Sequence, residues 1–403
     1  MAAAVAEVRL DKVTKVYSNG FQASPNSPRQ TCSGPITNRK DFTRMNHRNQ
    51  ENKAAVWDYW QKLNHVHDDG IADIIQTAFH EDVNWNGSAP IDRVLGVDAL
   101  IADVWEPLLR SFPDLKRKPQ VFMGGIDDGE SRFAGGDGTE WVSGCGHLTG
   151  TFVKDWLGIP ASGRRTTIHF GQFFIMSEGK IAESFVIFDI LSVMRQAGFE
   201  VLPPSPGADG GTVPGPAEDD GILLTEQEPI ASRKTIQLVD EMARGLERYV
   251  RDRDGDDMSS MEQRQYWSPD MKWYGYSGIG RCHSFEEFVE FHQRPWLHGF
   301  GDRGLSHHPD HGRVMGFIGE GSYACGGIWD VTFSHHHGTY AGIPATGKLM
   351  TVRDFDWWKR GPEDLLVENW IPIDLIDLTR QMEVDLMERL AILIDERAAK
   401  NWW

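Results

Sequence analysis

Residues 156–196 read WLGIPASGRRTTIHFGQFFIMSEGKIAESFVIFDILSVMRQ, and residues 340–381 read YAGIPATGKLMTVRDFDWWKRGPEDLLVENWIPIDLIDLTRQ. The second stretch repeats the first, so one structural module occurs twice in tandem. The repeat holds its register well upstream of these segments. Asp82, Trp85, Gly87, Phe112, Asp114, Trp141, Gly150 and Thr151 recur 188 positions later as Asp270, Trp273, Gly275, Phe300, Asp302, Trp329, Gly338 and Thr339. A short insertion near Lys154 to Leu157 shifts the spacing to 184, pairing Gly158 to Pro160 with Gly342 to Pro344. One further residue restores 185, which matches Glu183, Asp189, Arg195 and Gln196 to Glu368, Asp374, Arg380 and Gln381. Two units of this length are two compact domains rather than a solenoid.

Composition bounds the rest. The 403 residues are 40% hydrophobic and 25% charged, enough to bury real cores. No apolar run of membrane-spanning length occurs, and MAAAVAEVRLDK carries charge where a signal peptide needs an apolar stretch, so a cytoplasmic protein is expected. Cys32, Cys145, Cys282 and Cys325 stand alone without CxxC spacing, which suits a reducing compartment better than a disulfide framework. A formal net charge of -18 without a basic stripe argues against nucleic acid as a partner.

Four segments are expected: a non-domain N-terminal piece over 1–50, a first domain over 51–198, a Pro/Gly-rich linker over 199–230, and a second domain with a C-terminal helix over 231–403. The stretch from Asn19 to Arg48, rich in Ser, Asn, Pro and Arg, reads as disordered. VRLDKVTKVYSNG (8–20) resembles the opening strand of sugar-importer ABC ATPase subunits, but no GxxxxGK[ST] loop follows, which excludes that activity. In the linker, LPPSPGADGGTVPGPAEDDG rules out regular structure. Apolar residues at helical spacing predict helices over 52–66, 71–79, 232–252 and 258–266. A further helix is expected in each copy, opened by Asp98 in the first and by the capping-box pair Ser284 and Glu287 in the second. Aromatic and β-branched runs over 143–153, 165–176 and 180–191 predict strands, with Ser177 to Gly179 as a hairpin turn. Helices ahead of antiparallel strands give an α+β class.

A GIPATGK turn, a VRDFDWW strand and an ENWxxxDxxxLxxQ strand resemble the SnoaL-like polyketide cyclase group of the nuclear transport factor 2 and ketosteroid isomerase superfamily. The resemblance covers 55–198 and 232–392 and implies two tandem cone-shaped α+β barrels. In each, a curved, mainly antiparallel sheet and N-terminal helices enclose a pocket. It also implies acid/base catalysis without metal or cofactor, with an Asp near the end of the last long strand as the acid/base. The matching positions are Asp189 and Asp374. Helper positions on the preceding strand hold His169 and Gln172 in the first copy and Arg353 and Asp356 in the second, so the carry-over is clean only for the Asp.

Strand alternation sorts the candidates independently. Glu368, Trp370 and Asp374 share a face, as do Glu183, Phe185 and Asp189, so aromatic and carboxylate groups suggest a pocket wall. The Glu and Asp of each set lie roughly 20 Å apart along the strand, which leaves the Asp as the catalytic candidate and the Glu at the rim. Desolvation would raise the proton affinity of such an Asp towards useful general acid/base behaviour; the superfamily's ketosteroid isomerase is the standing worked example of an Asp base. Capping of the following helix is the alternative role for Asp189 and Asp374. On the preceding strand, Asp354, Asp356 and Trp358 share a face, as do Phe170, Gln172 and Phe174. Position Gln172/Asp356 is polar in both copies and demands a partner, either substrate or side chain. Position His169/Arg353 could orient a carbonyl oxygen or form an ion pair.

His335, His336 and His337 invite a metal reading, but neighbouring strand residues face opposite ways and no HExxH or Cys pair completes a set. His147, His335 and His337 are instead expected to hydrogen-bond substrate, and no metal is assigned. Trp85, Trp273, Trp141 and Trp329 recur in both copies as core or cavity wall. The expected function is acid/base chemistry on a small carbonyl-containing molecule: cyclisation, isomerisation, dehydration or lyase chemistry. Two alternatives stay open, a small-molecule-binding protein without chemistry and a scaffold whose copies imitate a homodimer; fold alone does not choose among them. The expected partner is a small-molecule substrate, with no membrane and with homo-oligomerisation open.

Overall fold

In a computed structural model, the protein forms two similar α+β halves. The structure describes residues 39–66, 70–133, 135–300, 303–307, 312–336 and 338–400.

The first half opens with helices α1 (Arg39–Leu63) and α2 (Ile71–Ala78). Strands β1 (Phe79–Gly87) and β2 (Arg93–Leu95) follow, then a helical run α3 over 97–111. Strands β3 (Lys116–Ile126), β4 (Glu140–Thr151), β5 (Arg165–Ser177) and β6 (Lys180–Phe188) complete the sheet, and α4 (Ile190–Gln196) ends it. The sheet order is β2-β1-β6-β5-β4-β3, antiparallel except where β1 runs parallel to β6. The second half repeats this plan: helix α5 (Pro229–Glu247), strands β7 (Trp267–Gly275) and β8 (Arg281–Cys282), and a helical run α6 over 285–299. After β9 (Arg303–His307) come β10 (Arg313–Glu320), β11 (Tyr323–His335), β12 (Lys348–Arg360) and β13 (Leu366–Ile371). Helices α7 (Leu375–Gln381) and α8 (Leu386–Ala399) close the chain's described part. The order is β10-β11-β12-β13-β7-β8, with β9 pairing β11 and β13 parallel to β7. No described helix is long and apolar enough to cross a membrane.

Several sequence expectations need adjustment. Helix α1 begins at Arg39, so residues 39–48 of the stretch read as disordered are helical. Tertiary partners explain this: Asn49 donates to Gly124 O and Glu320, Asn52 donates to Glu140 at 2.6 Å, and Lys53 is buried against Glu320 and Leu223 O. Residues 258–266 give only two 3-10 turns. Ser284 caps α6 as expected, its Oγ accepting from Glu287 N while Glu287 accepts from His283 N. In the first half Gly96 takes the cap position and Asp98 lies inside the helix.

Each sheet has two faces with different fates. The concave face of the first sheet carries Phe122, Phe170 and Phe174 against Trp60 of α1, whose ring lies 5.1, 5.6 and 6.3 Å from theirs. The opposite faces of the two sheets pack together through a shared apolar core. It contains Trp141, Phe173 and Phe185 from the first half and Trp329, Phe355, Trp357 and Trp370 from the second. Gly171 lets this contact close, since a Cβ there would sit 2.8 Å from Trp357 and 2.9 Å from Pro372. The 199–228 segment has no helix or strand of its own but is pinned across the junction. Leu223 N donates to Phe122 O at 2.9 Å, Trp370 Nε1 to Pro214 O at 2.8 Å, and Tyr323 OH to Asp220 at 2.6 Å.

Candidate active site in the second cone

The strand Asp of each copy sits where its sheet hands over to a helix, and both of its oxygens are engaged. Asp189 accepts from Ser192 N at 3.0 Å, capping α4, and from Ser277 Oγ at 2.9 Å. Asp374 accepts from Asp377 N at 3.2 Å, capping α7, and from Ala89 N at 2.9 Å. Ser277 stands 188 positions after Ala89, so each copy's Asp holds the same loop of the other copy. His169 Nε2 accepts from Val213 N at 2.9 Å, which leaves the proton on Nδ1, directed at Asp189 Oδ2 3.1 Å away. These groups line a pocket of about 140 Å³ together with Thr167, Arg195 and residues 208–213. Arg353 pairs with Asp330 at 2.6 Å and with Asp374 at 3.4 Å, an ion-pair role rather than a carbonyl contact. Burial, with the Asp377 charge adding to it, raises the Asp374 carboxyl pKa, and Arg353 opposes the rise.

Phe185 and Trp370, expected on a pocket wall, lie instead in the core between the sheets, together with Trp141 and Trp329, which were read as core or cavity wall. The alternation was right and the choice of face was wrong: the face carrying the Asp and aromatic groups meets the other copy. Trp357 Nε1 donates to Ser143 Oγ at 3.0 Å across the same junction. Glu183 pairs with Arg313 at 2.8 Å, and Glu368 accepts from Tyr274 OH at 3.3 Å. Trp85 is a core residue of the first half.

The two concave faces diverge. In the first cone Gln172 is satisfied by Arg117 Nη1 at 2.8 Å, and Phe170, Gln172 and Phe174 are buried completely or nearly so. In the first cone the helper position is therefore taken up by a side-chain pair, Gln172 with Arg117. In the second cone the matching positions are Asp354, Asp356 and Trp358. Asp354 lies opposite Ile328 and Asp356 opposite Gly326 in the β11 to β12 ladder. Protein surrounds both carboxyls, yet each Asp keeps surface that water can reach.

Asn369 donates to Asp356 at 2.9 Å, and no described Lys, Arg or His forms an ion pair with either Asp. Burial pushes the Asp354 carboxyl up to about 7. It raises Asp356 well above the ordinary carboxylate range, and the neighbouring Asp354 charge raises it further. Rings complete the wall: Phe317 lies 6.1 Å from Trp358, and His292 lies 4.1 Å from Trp273 with the rings tilted by 31°. Burial holds the His292 pKa down at about 3, so this imidazole is neutral. Tyr340, whose phenol is held above its usual pKa chiefly by burial and further by Asp354, also lines a pocket of about 130 Å³ with His292, Phe291 and Pro203.

His335 is fully buried, with Nδ1 3.2 Å from Thr346 Oγ1 and its ring 5.3 Å from Phe300. His337 lies outside the described residues. His147 sits 6.3 Å from His169 with its pKa lowered to about 4 by burial. Among the described residues, no group of three or more His, Cys, Asp and Glu side chains is placed to hold a metal ion. Sequence reasoning missed Arg117, Tyr340 and His292. Arg117 alone left a signal, as a cation inside a strand that also carries Val121 and Phe122.

Residues 58–197 match the profile of the SnoaL-like polyketide cyclases. No curated protein matches the chain. Among solved structures, IdmH from Streptomyces antibioticus is 15% identical, over 36% of this chain and 98% of its own, with a TM-score of 0.30. TsrD from Streptomyces laurentii is 20% identical over 36% and 96%, TM-score 0.29. A SnoaL-like polyketide cyclase from Agrobacterium tumefaciens is 20% identical over 36% and 95%, TM-score 0.27. Over residues 58–197, its first half, the chain is thus similar to the SnoaL-like polyketide cyclase family.

Proposed function

We propose that the second cone catalyses proton transfer next to a carbonyl in a small, largely apolar molecule, with Asp354 and Asp356 as the acid/base pair. The observation that carries this reading is the pair itself: two carboxyls on one face of β12, set among aromatic rings, with no cation opposite among the described residues. Like charges at such spacing resist joint ionisation, so near neutral pH one group keeps its proton while the other acts as base. The ionised member of the pair takes the proton from carbon. The other, still protonated, gives its proton to the carbonyl oxygen, and an enol results. Return of the proton to another carbon gives isomerisation; attack of the enol carbon on a second carbonyl gives cyclisation. Loss of a β-substituent gives elimination. Asp189 and Asp374 then act by holding the two halves together.

The shared first step can be assayed without the natural substrate. Incubating the protein in D2O with aryl ketones and 1,3-dicarbonyls, with α-proton loss followed by NMR, should show catalysed exchange for some members. That exchange should fall by on the order of 10²-fold or more in Asp354→Asn and Asp356→Asn. Exchange undiminished in both variants would refute the assignment.

A further inference from the structure

We propose that the first cone is a binding site for a small monocarboxylate, held side-on by Arg117. A cone packed merely for stability would be filled with hydrocarbon, and this one is built around a guanidinium. Arg117 is only 4% exposed. Its guanidinium lies 4.7 Å from the Trp60 ring centre and 4.2 Å from that of Phe170. One nitrogen, Nη1, donates to Gln172 Oε1, while Nε and Nη2 have no acceptor. Those two nitrogens form one edge of the guanidinium fork, the edge that matches a carboxylate with two parallel hydrogen bonds. No described Asp or Glu forms an ion pair with it, and burial lowers its pKa to about 10.

The surroundings are short of acceptors in the same sense. Trp60 Nε1, Trp105 Nε1 and Ser184 Oγ are buried in this half without partners. Tyr59 packs against Trp105 and Phe174 and lies near enough to Arg117 for their charges to interact. Buried polar groups are normally satisfied, so the open Nε and Nη2 edge of Arg117 indicates a missing acceptor. The fold does not require the cation, because the equivalent position 188 residues later is Leu305. Tyr59, on the far side of its ring contacts, also lines a mixed cleft of about 130 Å³ with Asp58, Lys62, Thr77, Ile74 and Ile181. Stacking on Trp60 and Phe170 sets the guanidinium plane, so the ligand's body lies among rings. An aromatic or branched-chain carboxylate fits this chemistry. The site is independent of the acid/base reading of the second cone.

Calorimetric titration of the full chain with benzoate, isobutyrate, inorganic phosphate and uncharged benzamide tests it. Saturable benzoate binding is expected, with benzamide at least about tenfold weaker. Arg117→Met should abolish binding, and Arg117→Lys, which keeps the charge without the fork, should weaken it about tenfold or more. A buried charge with no counter-ion does not stabilise the unliganded protein, so Arg117→Met should melt at or above the wild-type temperature. The proposal fails if benzoate and benzamide bind alike, if phosphate alone binds, or if Arg117→Lys binds as the wild type does. Failure of the wild type to bind any probe, with Arg117→Met melting well below it, would make Arg117 a structural plug.

Discussion

Asp374 Oδ2 accepts the backbone N–H of Ala89 at 2.9 Å, a bond that joins the last strand-to-helix corner of the second half to a loop of the first. Its counterpart runs the other way, from Ser277 to Asp189. The pair is reciprocal, as in an isologous interface between identical subunits. It gives the strand Asp a structural task that capping alone would not.

Replacing Asp374 or Asp189 by Ala leaves a helix uncapped and a cross-junction N–H without its acceptor. Each change should lower stability by roughly 2–4 kcal/mol, read from urea denaturation. Carbonyl proton exchange by the remaining folded Asp189→Ala protein should persist. Its loss with stability intact would return the strand Asp to a catalytic role.

Lys53 and Glu320 form a buried ion pair between α1 and the β10 to β11 hairpin, and Glu320 also accepts Gly124 N at 2.8 Å. Lys53→Met removes one partner and should destabilise by about 3–5 kcal/mol. Adding Glu320→Gln should recover much of that loss, because the stranded charge disappears. A double-mutant cycle measures the coupling.

Gly171 faces Trp357, Pro372 and Phe355 across the sheet junction. Gly171→Ala must push those groups apart and should destabilise by roughly 1–3 kcal/mol. A fall in melting temperature with unchanged secondary structure by circular dichroism is the expected result.

The acidic pair makes stability depend on pH. Asp354 and Asp356 have folded pKa values above the roughly 3.9 of an unfolded Asp. The native state therefore binds more protons between these limits. The stabilising contribution is complete below the unfolded pKa and is lost as pH climbs through the folded values. Asp356→Asn should flatten this decline and make the variant more stable than the wild type at pH 8. Urea melts at pH 5 and pH 8 compare the two.

The tandem α+β plan was legible in sequence because the GIPASG and GIPATG turns and the strand runs repeat in register. The 2-residue alternation of β5 and β12 also sorted their side chains correctly, placing Asp354, Asp356 and Trp358 on one face. Which face becomes a cavity was not legible. Alternation is symmetric, and the deciding fact, that the Trp329, Trp357 and Trp370 face packs on the other copy, depends on docking between domains. The long start of α1 was hidden for the same reason, since its partners Glu140 and Glu320 lie far away in sequence. Arg117 stayed unremarked because its Gln172 partner is 55 residues distant, and its unpaired edge is visible only in three dimensions.

Carboxyl ¹³C NMR titration of protein labelled at Asp tests the central claim without knowledge of the substrate. Two resonances are expected, one missing from Asp354→Asn and the other from Asp356→Asn, with midpoints well above those of surface Asp groups. In each single variant the surviving partner should titrate lower, since it no longer faces a second charge. If both resonances titrate with the surface Asp groups near 4, the pair holds no proton at neutral pH and cannot serve as acid and base.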